Sequence, residues 1–418
     1  AYREDTSPRT AAQDIGRLEP LTLEQPLAIS LYRPLEAPEN IVRLKLYHVG
    51  EPIGLSEVLP VLEQLGMRVI DERPYGIHRR GHATAWIHDF GLSHESAIAL
   101  DSGELRTTFQ TAFAAIWYNK ADSDGFNRLI LRAGLDWREV VIMRSYAQYL
   151  RQAGTSYSQP YIEDTLAAHP DITRELIALF HARFDPDAAN ETAADTLSAN
   201  IETQLDAVES LDDDRILRRF LAAINATLRT NYYRVNEKTA EHREFLSFKL
   251  QPAAIPDIPK PVPAYEIFVT SPRMEGVHLR GGKVARGGLR WSDRREDYRT
   301  EVLGLMKAQM VKNAVIVPVG AKGGFVCKQL PKQRQDQPAE VLACYRLFIQ
   351  GLLDITDNII DAHVVPPPQV TRRDEDDPYL PRLDVVLDDF RERVRLEPPA
   401  ERTLVVAPVV HVERRVSL

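Results

Sequence analysis

Residues 281–328 read GGKVARGGLRWSDRREDYRTEVLGLMKAQMVKNAVIVPVGAKGGFVCK, and their reading decides what kind of protein this is. The stretch holds Gly-Gly at 281–282, 287–288 and 323–324, and the rest of the chain has no Gly-Gly. Between the last two pairs stand a helical pattern over Glu301–Asn313 and a β-branched apolar run, Ala314-Val315-Ile316-Val317. A second glycine turn carrying Lys322 follows. Loop, helix, buried strand and tight turn is the order of an α/β unit, here with a cation at each joint.

Glycine pairs let backbone N–H groups approach and cradle an anion. Arg286 and Arg290 flank Gly287-Gly288, and a guanidinium suits a carboxylate through two parallel hydrogen bonds. Lys307 and Lys312 are five residues apart, so on a helix they diverge by about 140° and do not share one pocket. Lys312, at the helix end, is the one expected to face inward. An ammonium at Lys322, partly desolvated among cations, is expected to have a lowered pKa and to act as a base near neutrality. Two cations for carboxylates and one tuned lysine imply chemistry on a dicarboxylate. A plain loop lysine and plain turns fit the same letters. Arg290, Asp293, Arg294, Arg295, Glu296 and Asp297 read as a salt-bridged solvated face, and His278 as an exposed strand-end histidine. Gly281-Gly282-Lys283 is not a phosphate loop, because no Ser or Thr follows the lysine.

Outward from that stretch the chain divides into several bodies. Its 418 residues suffice for two to four domains, and an apolar fraction of 44% with 27% charged residues is ordinary for a soluble globular protein. A formal charge of −8 argues against a general nucleic-acid or membrane-surface protein. No apolar run approaches the roughly 20 residues that span a bilayer. The two cysteines, Cys327 and Cys344, fit a reducing cytoplasm and leave no metal site to predict.

Val42, Leu44 and Leu46 alternate as in a half-buried strand, and a helix follows with Ser56 as its N-cap and Gly66 as its stop. Met67–Ile70 and Thr84–Phe90 read as two further strands, so residues 1–101 are expected to hold a ferredoxin-like α+β unit. Residues 102–250 read as a helical domain. A proline-spaced linker from Pro252 to Pro263 leads to the strand Tyr265–Val269 of a last domain, 251–382. Val341–Ile360 reads as a helix, and 383–418 as an atypical charged tail without glycine.

Residues 277–320, VHLRGGKVARGGLRWSDRREDYRTEVLGLMKAQMVKNAVIVPVG, resemble the large NAD-specific glutamate dehydrogenases of bacteria. The likeness extends over roughly 1–380, through SLYRPLEAPE at Ser30, DERPYGI at Asp71, DGFNRLIL at Asp124, WREVVIMRSYAQYLRQAG at Trp137 and LDDDRILRRFLAAI at Leu211. The resemblance implies a cytoplasmic, homo-oligomeric enzyme converting L-glutamate and NAD to 2-oxoglutarate, ammonium and NADH. It implies an ACT-like unit at the front and a glutamate-dehydrogenase substrate domain at the back. In that domain Arg286 and Lys312 bind the two carboxylates, with Gly287, Gly288, Gly323 and Gly324 around them. Lys322 activates the water that attacks the iminium. The family carries its catalytic aspartate and nucleotide-binding Rossmann fold after a DDPYL segment, but the text after Leu380 does not resemble it. The expectation is an internal or truncated piece, inactive by itself. The competing expectation is a regulatory or oligomerisation module that binds an amino-acid effector or partner chains.

Overall fold

The computed structural model describes residues 2–79, 81, 83–95, 103–236, 238–282, 288–312, 320–361 and 363–377, with only the backbone at Met310–Lys312. Its contacts separate two units, 1–143 with 163–174 and 144–162 with 175–418. No helix among the described residues is long and apolar enough to cross a membrane.

In the first unit α1 (Tyr2–Asp5) and α2 (Pro8–Leu18) precede β1 (Leu27–Tyr32) and β2 (Ile41–Val49). Then come α3 (Leu55–Gln64), β3 (Arg68–Ile77), β4 (Ala85–Ser93), α4 (Glu104–Trp117) and α5 (Leu129–Arg132). The sheet is antiparallel in the order β1-β2-β4-β3. Strand, helix, strand, strand over 41–93 follows the expected pattern, and β1 takes the outer edge beside β2. The N-cap of α3 is Gly54 rather than Ser56, because the first helical N–H groups reach the Gly54 carbonyl. Gly66 stops the helix with φ at +83°, a conformation glycine adopts without strain. Asp14 of α2 is buried, and it accepts hydrogen bonds from Lys45 (2.8 Å), Tyr47 (2.7 Å) and Tyr2 (2.7 Å), which fastens the N-terminal helices onto β2.

The second unit takes most of α6 (Trp137–Gln152), α7 (Gln159–Ala168) in part, and most of α8 (Pro170–Phe184). It adds α9 (Glu191–Leu205) and α10 (Leu211–Ala226), capped by Asn190 and Ser210. A six-stranded sheet follows: β5 (Thr227–Thr230), β6 (Leu246–Leu250), β7 (Tyr265–Thr270), β8 (Met274–Arg280), β9 (Leu289–Trp291) and β10 (Ala321–Cys327). The first two lie in a stretch read from sequence as helical. The order is β5-β6-β7-β8-β10-β9, and every pairing is antiparallel except β9 with β10. That parallel pair is joined by α11 (Tyr298–Lys312), as a parallel connection requires.

Alternation along the strands gives the sheet two different faces. Phe248 stacks on Tyr146 of α6, Phe268 meets Tyr149, and Glu266 pairs with Arg299, so α6 and α11 cover one face. α12 (Gln337–Asp354) covers the other, with Tyr345, Phe348 and Leu352 against Ile267, Val269, Met274 and Phe325. This helix ends at Asp354, short of the expected Ile360. Thr356 turns its hydroxyl back to the Leu352 carbonyl (3.1 Å), and Asp357 swings into a buried charge cluster. Asn358–Ile360 (β11) then pairs with His363–Val365 (β12) in a small hairpin. The tail after Asp377 and the run 314–317 lie outside the described residues.

Candidate active site

Gly323-Gly324 was read as part of a tight turn, but both glycines lie inside a strand. Gly323 pairs with His278 of β8 on one side and Leu289 of β9 on the other, while Gly324 pairs with Val277 and Arg290. The reason is clearance. A Cβ on Gly323 would overlap Leu289 Cδ2, and one on Gly324 would lie 2.5 Å from Val302 Cγ2 of α11. Strands disfavour glycine unless another group approaches closely, and here both faces do so.

This arrangement brings several of the expected residues together. The Gly323 N–H donates to the Gly288 carbonyl at 3.2 Å, and the Gly281 N–H to Gly320 at 3.0 Å. Gly320 rests against Gln309 of α11, where a Cβ would meet Gln309 Cβ at 3.0 Å. The C-terminal end of α11, where Lys312 closes the helix, therefore lies at the end of the sheet where β10 begins with Ala321-Lys322. Lys307 is exposed on the same helix. Arg286 and Gly287 lie outside the described residues, as does the side chain of Lys312.

Lys322 is half-buried on the α11 face. Burial holds its amine below the ordinary lysine range, and the nearby Arg290 guanidinium adds to the effect. Arg290 is not the solvated residue read from sequence. Its side chain is 27% exposed and its Nη1 lies 2.9 Å from Glu301 Oε1, while Ser292 Oγ donates to Glu301 Oε2 at 2.6 Å. Arg294 and Asp297 do form the exposed pair expected of a solvated face. On the α11 face, Arg290 Nε and Gln309 Oε1 are buried with no partner among the described residues.

His278 is the clearest correction. It stands within β8, 1% exposed and paired on both sides by β7 and β10, rather than at an open strand end. Burial first, and then Arg280, push its pKa down to about 3, so the imidazole is neutral. Sequence reading also missed a buried charge cluster on this face. Asp377 accepts from Arg280 (2.8 Å) and Lys249 (2.5 Å), and Arg229 bridges Asp357 (2.8 Å) and Asp374 (2.5 Å). Arg280 above all, with Lys249 beside it, holds the Asp377 carboxyl below the usual range although burial opposes this. The signal was present as three cations spaced within apolar strands, opposite the acidic run Asp374–Asp377. The cluster fastens residues 372–377 to the sheet. Among the described residues, no three His, Cys, Asp or Glu side chains are grouped to hold a metal.

On the α11 face, then, an amine of reduced basicity shares the site with a fixed guanidinium and close-packed backbone. Such a site can bind an anion and accept a proton.

Residues 200–388 match the family described as bacterial NAD-glutamate dehydrogenase, catalytic domain. Residues 121–186 match glutamate dehydrogenase helical motif 3, 26–105 its ACT3 domain and 1–21 its helical motif 2. A protein of Halomonas elongata named NAD-specific glutamate dehydrogenase is 55% identical over 383 residues, which is 91% of this chain and 24% of the relative. Proteins of that name from Pseudomonas aeruginosa and Mycobacterium tuberculosis are 52% and 46% identical, with the same two coverages. The chain thus spans about a quarter of the length of the curated relatives it matches.

Proposed function

This chain belongs to the bacterial NAD-specific glutamate dehydrogenases, and we propose that its six-stranded unit carries the dicarboxylate half of their active site. The reaction of the whole enzyme would convert L-glutamate, NAD and water to 2-oxoglutarate, ammonium and NADH. Arg286 and Lys312 hold the two substrate carboxylates, and the backbone at Gly287, Gly288, Gly323 and Gly324 lies close around them. Lys322, its amine held below the ordinary lysine range by burial and the Arg290 charge, takes a proton from the water that attacks the iminium carbon. Bound NAD would supply the hydride acceptor. The sequence contains no G-x-G-x-x-G turn to seat its pyrophosphate, so no residue described is assigned to it. The roles assigned here therefore concern carboxylate binding and proton transfer only. The resemblance further supports an ACT-like, ferredoxin-like reading of the four-stranded unit, and a cytoplasmic homo-oligomer.

The observation that carries this reading is Lys322, half-buried beside Arg290 on a strand whose glycines admit α11 and β9 closely. Calorimetric titration with 2-oxoglutarate tests it. Arg286→Ala and Lys312→Ala should each weaken binding by roughly 10- to 100-fold, since each removes a charge-assisted bond to a carboxylate. Binding that is absent from the parent, or unchanged in both variants, would overturn the assignment.

A further inference from the structure

The deepest unexplained feature of the Lys322 face is Arg290. It lies on the edge strand β9, and its Cα is in register with Gly324 across the parallel pair. Its Cγ would be 4.0 Å from a Cβ at Gly324, so the side chain runs across the face of β10 that Lys322 also occupies two residues earlier. It is held there from one side only. Glu301 of α11 takes Nη1 at 2.9 Å and is itself fixed by Ser292 Oγ at 2.6 Å, while Arg290 Nε is buried with no partner among the described residues. A surface ion pair would not need a serine to lock its carboxylate, nor would it bury an unpaired donor.

We propose that Arg290 is a positioning residue for Lys322, a fixed cation laid across the same strand face as its amine, and that Glu301 sets how strongly that cation is felt. The proposal rests on the proton-accepting role given to Lys322 above and adds the device that would tune it. The other charged groups on this face leave the assignment intact. Glu266 is consumed by Arg299 in a fully buried pair, Glu275 is buried further along β8, and Lys307 is exposed. Burial and the Arg290 charge both lower the lysine, in agreement with this geometry.

The test separates the charge of Arg290 from its packing. Removing the guanidinium should let Lys322 protonate at higher pH, whereas removing the Glu301 charge should leave Arg290 unscreened and lower the midpoint. The measurement is the rate of acetylation of Lys322 by acetic anhydride in the full chain across pH, read by peptide mass spectrometry. Arg290→Met should raise the midpoint by about one pH unit, the scale of a unit charge several ångströms away at a surface-like dielectric. Arg290→Lys should return it close to the parent, and Glu301→Gln should lower it. A midpoint unmoved by Arg290→Met, or raised by Glu301→Gln, overturns the proposal. If Arg290→Met fails to fold, Arg290→Gln, which keeps a polar side chain without the charge, is read in its place against Arg290→Lys. The labelling needs no glutamate. Failure of the 2-oxoglutarate titration with the midpoints ordered as expected would therefore count against the assigned function and not against this device.

Discussion

Substituting Gly324 by alanine isolates what the glycine pair on β10 is for. The backbone there is not in the left-handed region, so alanine meets no conformational penalty, and loss of chain entropy in the unfolded state would favour it by about 0.4–1 kcal/mol. Against this stands an added Cβ 2.5 Å from Val302 Cγ2, more than 1 Å inside ordinary carbon contact. Val302 is fully buried on α11, and a β-branched side chain on a helix has essentially one rotamer, so it does not swing away. Overpacking of a filled interior costs typically about 1–3 kcal/mol, which exceeds the entropic gain. Gly324→Ala should therefore destabilise the six-stranded unit by about 1–2 kcal/mol net. The assay is native-state hydrogen exchange of β8 and β10 amides in low urea, which reports this unit separately from the other. The decisive control is Val302→Ala. Alone it leaves a void and costs about 1–3 kcal/mol, but combined with Gly324→Ala it removes the overlap and the new methyl fills part of the void. The pair should couple favourably by at least 1 kcal/mol. Strict additivity, or a Gly324→Ala protein as stable as the parent, would show that these glycines serve something other than clearance for α11.

Two further outcomes follow from buried charges. His278 has a folded pKa of about 3 against an unfolded value near 6.5, so the unfolded state binds a proton first as pH falls. Its contribution is present above pH 6.5 and is lost progressively down to about pH 3, amounting to about 2–3 kcal/mol at pH 4.5. His278→Gln should flatten the acid limb of a urea-midpoint curve by that amount, and an unchanged limb would count against a buried neutral imidazole. Glu266 and Arg299 form a pair with both side chains fully buried. Glu266→Ala, which strands the guanidinium, should cost about 3–5 kcal/mol, while replacing both residues by leucine should recover most of the loss. A single variant as stable as the double would refute this.

The parts of the fold that were legible share a local cause. α11 was readable because its apolar residues and its flanking glycines sit within one stretch of chain. β2, α3 and β4 were readable because their alternation and the Gly66 stop are local as well. The misreadings arose where a distant element decides the environment. In MEGVHLR, Gly276, His278 and Arg280 alternate as a polar face would, yet all three are buried, Gly276 against Phe348 of α12 and Arg280 on Asp377, each about seventy to a hundred residues further along the chain. Gly323-Gly324 reads as a turn because glycine is rare in strands. Only the approach of Leu289 and Val302 explains why it is needed inside one. Arg290 was read as solvated because Asp293, Arg294 and Asp297 surround it in sequence. Its actual partner, Glu301, is set by the fold of β9 onto α11. β5 was hidden by its position directly behind α10, where no glycine or proline separates Ala226 from Thr227.

The placement of the site also accounts for its many cations. In open α/β sheets, anions usually meet the N-termini of helices, where free N–H groups and the helix dipole favour negative charge. Here the connection runs the other way. α11 leads into β10, and Gly320 rests against Gln309 and the Met306 carbonyl, so the end of the helix near Lys322 is its C-terminus. That end carries roughly half a negative charge. A dicarboxylate brought there is repelled by the helix and gains nothing from free backbone donors of α11. The charge must come from side chains. On the proposed reading that charge is supplied by Lys312, Arg286 and Arg290, with Lys322 kept as the proton acceptor. If Lys312 binds a carboxylate as proposed, it would serve twice, as a cation favoured at a helix C-terminus and as a ligand for an anion that is not. On this account the loss of one cation should weaken dicarboxylate binding more than a single hydrogen bond would suggest, because each of them also screens the helix end from the substrate.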